Sequence, residues 1–195
     1  MGPALFKNHK AILVALIVNA IVLVVPLVAM QFTDEVDWSV GDFIVATLLI
    51  MGSGLIIDFV SGRSRNAAFR LGVVMAVGTG LLLIWVNLAV GLIGDEDNPA
   101  NLMYSTVILI GLVGGTASGF KPRGMAYALY ATALAQMAVP FIALTIWQPP
   151  FDDGVFKVIV LNTNFAILFI GSAILFHRAS FAEMPSWNPG ESKNS

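Results

Sequence analysis

The sequence predicts an all-α polytopic membrane protein, a six-helix transmembrane bundle, and three observations carry that prediction. Hydrophobic residues make up 57% of the 195 positions and charged residues only 11%, against about 25% charged in soluble domains. With a mean hydropathy of +0.85, a chain of this length has more apolar surface than one water-soluble core can bury. Six apolar runs, near 11–30, 42–60, 71–94, 100–120, 125–147 and 155–177, are each long enough to cross about 30 Å of hydrocarbon as a helix. The polar connections between these runs alternate in the sign of their charge. Residues 1–181 therefore read as one membrane domain. The polar segment 182–195, with Glu183, Pro185, Pro189, Gly190 and Ser192, reads as a disordered tail.

Each span has local support. Span 1 follows Lys7 and Lys10. Its apolar run is longer than a signal-peptide core and no A-x-A-like cleavage site follows Met30, so it is expected to be retained. Asp34, Glu35 and Asp37 come next. Span 2 opens on Ser39 and Asp42, the spacing of a capping box, in which hydroxyl and carboxylate occupy otherwise unpaired backbone N–H groups. Arg63, Arg65 and Arg70 lead into span 3, which ends at Asp95, Glu96 and Asp97. Asn98-Pro99 then places an N-cap before a proline at the first helical position of span 4. Lys121-Pro122-Arg123-Gly124 forms a tight turn into span 5, and Asp152 and Asp153 precede span 6, which Arg178 closes.

Nine of the ten Lys and Arg residues thus fall on one side, Lys157 being the exception. Loops rich in Lys and Arg stay cytoplasmic, so both termini are expected inside, with the acidic turns outside. Trp38, Trp85, Tyr104 and Trp147 fall towards the outer ends, where amphipathic rings favour the headgroup zone. Small residues recur every four positions: Gly72, Ala76 and Gly80 on span 3, Gly111, Gly115 and Gly119 on span 4, Gly124, Ala128 and Thr132 on span 5. Such stripes let helix backbones approach closely. They serve either packing of spans 3, 4 and 5 within one chain or, through Gly111, Gly115 and Gly119, a seam with a second copy or another membrane protein.

The candidate functional residues are mostly amides. Asn19, Asn87, Gln136, Asn162 and Asn164 lie inside apolar spans, where a polar group needs a partner helix or a cavity. Pro140 cannot donate to the Gln136 carbonyl, and Pro26 cannot donate to that of Val22, close to Asn19. Amides beside freed carbonyls are how transporters build sites for small cations or polar solutes; ordinary interhelical hydrogen bonding is the alternative. Asp58, at the inner end of span 2, is expected to pair with Arg63, Arg65 or Arg70, with a proton or cation relay as the sharper option. Asp95, Glu96 and Asp97 offer hard oxygen ligands for weak cation attraction, but adjacent carboxylates in a turn rarely converge on one ion. His9 and His177 lie at the cytoplasmic edge without a surrounding motif.

The absence of cysteine removes disulfides and thiolate chemistry. No zinc-protease, nucleophile-elbow or phosphate-cradling motif is present. No catalytic residue, metal site or cofactor is expected, and the basic turns answer to topology and anionic lipid, not nucleic acid.

The segment W-V-N-L-A-V-G-L-I-G-D-E-D-N-P-A-N-L-M-Y, with K-P-R-G-M-A-Y-A-L-Y-A-T-A-L-A-Q after it, resembles a group of small, uncharacterised bacterial inner-membrane proteins. The resemblance covers about Leu71 to Gln136 and leaves spans 1, 2 and 6 without a counterpart. It implies a bacterial membrane location and no catalytic activity. The reading that leads from sequence is a non-catalytic accessory or structural subunit in the lipid bilayer. A small-solute or cation transporter is the alternative, and an intramembrane enzyme comes third.

Overall fold

The computed structural model describes residues 9–33, 36–93, 98–146 and 155–182. Six helices long and apolar enough to cross a membrane lie within them. They are α1 (His9–Ala29), α2 (Val40–Ser61), α3 (Ala67–Ala89), α4 (Met103–Ala117), α5 (Pro122–Ile146) and α6 (Val155–Ala182), with a 3₁₀ turn over Pro99–Leu102 leading into α4. The order and number of spans match the apolar runs. Spans 3, 4 and 6 shift at their boundaries. Span 3 starts at Ala67 and ends at Ala89, ahead of the expected 71–94. Span 4 opens as 3₁₀ before it becomes α, and α6 continues through Arg178 to Ala182, so Arg178 lies within the helix.

Caps explain where the helices start. Ser39 accepts from the Asp42 N–H, while the Asp42 carboxylate takes the Ser39 N–H at 2.7 Å, completing the capping box that opens α2. The Asn98 side chain caps the 3₁₀ turn by accepting from Ala100 N–H at 2.9 Å. Asn66 does the same for α3, accepting from Ala68 at 2.8 Å and Phe69 at 3.2 Å. The chain leaves α4 through two left-handed residues, Gly119 (φ +60°) and Phe120 (φ 59°), which the Phe120 N–H secures with a bond to the Gly115 carbonyl at 3.1 Å.

The helices pack in two tiers. α6 has α5 on one side and α3 on the other, α4 packs on α5 and touches α3, and these four close into a core. α2 packs on α3, and α1 packs on α2. The buried share of each span follows this order, from 6% in α1 to 44% in α5. Val25 is 67% exposed on α1 and Leu134 is 74% exposed on α5. Apolar surface on this scale is a liability in water and costs nothing against lipid chains.

Close approach depends on small residues. Ser172 of α6 donates its hydroxyl to the Gly72 carbonyl of α3 at 2.7 Å, and Phe69 meets Phe176 edge to face at 5.1 Å beside it. Across the α4–α5 contact, a Cβ on Gly114 would lie 2.6 Å from the Ala128 Cβ; one on Gly111 would lie 3.2 Å from Thr132 Oγ1, and one on Gly115 3.2 Å from Met125 Sδ. Gly111 and Gly115 are therefore turned to α5 of the same chain. Gly119 lies beyond the end of α4. Of the two readings of this stripe, Gly111 and Gly115 follow packing within the chain, because the short turn to α5 brings that helix onto the glycine face.

This contact gives a direct test. Gly114→Val should lower the unfolding midpoint of the purified protein in mild detergent by the equivalent of about 1–3 kcal/mol, the usual cost of overpacking. Gly78→Ala, where an added Cβ meets nothing within 4 Å, should leave the midpoint unchanged or slightly raised. Equal behaviour of the two variants would show that α4 and α5 do not meet there.

Candidate functional site

Three core helices each send one polar side chain to a common point. Asn162 of α6 and Gln136 of α5 are wholly buried, and Tyr104 of α4 is 2% exposed. The Tyr104 hydroxyl donates to Asn162 Oδ1 at 3.0 Å, and Gln136 Nε2 donates to the same oxygen at 2.9 Å. Asn162 Nδ2 donates to the Val158 carbonyl one turn earlier, at 2.8 Å. These partners settle how both amides are turned. A carbonyl can only accept, so Asn162 presents nitrogen to Val158 and oxygen to its neighbours, and Gln136 must face that oxygen with its own nitrogen.

The consequence is that Gln136 Oε1 is buried without a hydrogen-bond partner. One turn further along α5, Pro140 is also buried and has no N–H to give to the Gln136 main-chain carbonyl. A single residue thus carries an unpartnered side-chain oxygen and a main-chain carbonyl without its usual donor four residues on. Thr132, one turn earlier, is 1% exposed and returns its hydroxyl to the Ala128 carbonyl at 2.9 Å. The arrangement is uncharged and rich in acceptors. Its unpartnered Gln136 oxygen is an acceptor of the kind that suits a cation or a donor group of a polar solute.

A second amide pair locks the chain between α3 and α4. Asn101, 4% exposed, accepts from the Leu92 and Ile93 N–H groups at 3.1 and 3.0 Å and donates to the Ile93 carbonyl at 3.3 Å. Asn87 donates to the Asn101 carbonyl at 3.3 Å, while its own Oδ1 is buried and unpartnered. Asn87 therefore belongs to this clamp and not to the Gln136 group.

The other candidates are dispersed. Asn164 is exposed on the outer face of α6, two residues from Asn162 and so turned away from the core. Asn19 has a buried Oδ1 without a partner, but α1 packs chiefly on α2, which keeps it apart from α5 and α6. Asp58, Arg63 and Arg70 are exposed near the basic end. Arg63 stacks over Phe59 at 3.8 Å and Phe120 at 4.4 Å and donates to the Phe59 carbonyl at 2.9 Å, so aromatic rings are its anchor. His177 meets Phe181 edge to face at 4.9 Å, and its Nδ1 is buried without a partner. Asp95, Glu96 and Asp97 lie outside the described residues. Among the described residues no three His, Asp or Glu side chains converge as metal ligands.

Sequence reasoning missed Asn101 and placed Tyr104 at the headgroup zone. Tyr104 lies in the first turn of α4, near the end of the span, and its side chain is buried against α6, where Asn162 offers its hydroxyl an acceptor. The signal available for Asn101 was its place three residues after the Asn98 cap, where an amide can reach back to the preceding loop. Compared with known proteins, the chain matches no family model, no curated protein and no solved structure.

Asn101→Ala removes the acceptor for two buried N–H groups, each costing about 1–3 kcal/mol when left unpaired. A clear drop in thermal midpoint is expected, and Asn101→Asp should not restore it, because it buries a carboxyl and turns an oxygen to the Ile93 carbonyl that the amide nitrogen serves. A midpoint unaffected by the alanine variant would show that water already serves those groups.

Proposed function

We propose that this protein binds and passes a small cation or a neutral polar solute across a bacterial inner membrane, using Gln136, Asn162 and Tyr104 as its site. It sits there with both termini cytoplasmic, the basic turns being held inside by the positive-inside rule. The observation that carries this reading is Gln136 Oε1, buried and unpartnered one turn before Pro140. Leaving such an oxygen unpaired costs about 1–3 kcal/mol, and a passing cation or hydroxyl recovers that cost on arrival. Tyr104 and Asn162 act as positioning residues. By holding the Gln136 nitrogen on one side they leave its oxygen on the other.

A second reading has its own support. Asn162 is satisfied by three hydrogen bonds inside a wholly buried contact, as expected of a network that only locks helices in a non-catalytic accessory subunit. Gln136→Leu in liposomes separates the two. Under the transport reading, the wild type takes up labelled sodium, rubidium or a small polyol and the variant's uptake falls about tenfold, the effect of losing roughly 1.4 kcal/mol at the site. Under the accessory reading, wild type and variant pass none of these above empty liposomes and the variant's midpoint falls.

A further inference from the structure

A groove between the start of α2 and the end of α3 lies away from the Gln136 site and has a different chemistry. Its volume is about 240 Å³, and Trp38, Trp85 and Asp42 share its lining with Val45, Leu49 and Leu88. The indole rings lie 5.6 Å apart at 46°, and Phe43 braces Trp38 edge on at 5.2 Å. The Asp42 carboxylate is held in place by the Ser39 N–H at 2.7 Å and the Ser39 hydroxyl at 2.8 Å, both on Oδ2. Two aromatic faces beside a fixed carboxylate suit an organic cation: ring quadrupoles attract it, and quaternary ammonium groups are bound in this way.

The other walls narrow the choice. No lining residue is basic, and the exposed Asp37 adjoins Trp38, so a phosphate or sulfate finds only repulsion here. The rest of the groove's lining is aliphatic, with Val45 46% and Leu88 58% exposed. Its volume is below that of most small-molecule sites, about 300–1,000 Å³, which suits a compact head and the first part of a chain. We propose that this groove binds a lipophilic monocation, an alkylammonium amphiphile taken from the membrane leaflet, with its ammonium beside the paired Trp38 and Trp85 rings and Asp42 and its chain against Val45, Leu49 and Leu88. The proposal does not rest on the transport reading.

The test uses the full chain in nanodiscs and tritiated decyltrimethylammonium below its micellar concentration, with empty nanodiscs subtracted. Saturable binding is expected, displaced by unlabelled probe and not by decyl sulfate, decyl maltoside or decylphosphocholine. Asp42→Asn keeps an oxygen for the Ser39 cap while removing the charge, and it should weaken binding about tenfold, as should Trp85→Leu; Trp85→Phe should lose less. Leu88→Trp, which fills the groove without altering charge, should abolish binding in a chain of unchanged thermal midpoint. Uptake no greater than in empty nanodiscs, equal displacement by decyl sulfate or decylphosphocholine, or unchanged affinity in the Asp42→Asn and Leu88→Trp variants would each overturn the assignment.

Discussion

Two hydrogen bonds converge on one oxygen, Oδ1 of Asn162, and through them Tyr104 and Gln136 tie α4 and α5 to α6. In hydrocarbon no water competes for these groups, so each must find its partner inside the protein or go without. That constraint sets more than the contact itself. It orients both amides, buries the Tyr104 side chain and leaves Gln136 Oε1 without a partner. The same rule governs Asn101, whose amide replaces secondary structure for two buried N–H groups between α3 and α4.

Around this polar centre the packing is steric. Without a hydrophobic drive between helices in lipid, close van der Waals contact and interhelical hydrogen bonds hold the bundle. Glycines on α4 admit Ala128 and Thr132 of α5, and Gly72 of α3 admits Phe176 of α6. α1 and α2 have no comparable share in the centre. They extend from α3, and the loosest packing coincides with the greasiest surface. At the acidic end the α2–α3 contact stays open as the groove beneath Trp38 and Trp85. At the basic end, Arg63 between Phe59 and Phe120 bridges α2 to the α4–α5 turn.

Much of the fold was legible from residues alone, for identifiable reasons. Ser39 and Asp42 cap α2 because a capping box is local chemistry, needing only four consecutive residues. Asn98 caps its turn for the same reason, although Pro99 begins a 3₁₀ turn and not an α-helix. The site was half legible. Gln136, Asn162 and Pro140 stood out as polar or helix-breaking residues in greasy surroundings. Asn164 stood out equally and lies on the outer face. A residue's depth in a span is written in sequence; the neighbour it faces is written only by how helices pack.

The sequence by itself determined the number of spans, their order, the caps at Ser39 and Asn98 and the division of the chain into acidic and basic ends. Those properties follow from hydrocarbon thickness and from chemistry between near neighbours in the chain. Only the tertiary structure decided that α6 lies between α3 and α5, that Gly111 and Gly115 face α5, and that Tyr104 joins Gln136 at Asn162. Six apolar helices can pack in many orders of similar hydropathy. The choice among them rests on steric fit and on a few hydrogen bonds between residues up to 100 positions apart, relations that no periodicity within a single span encodes.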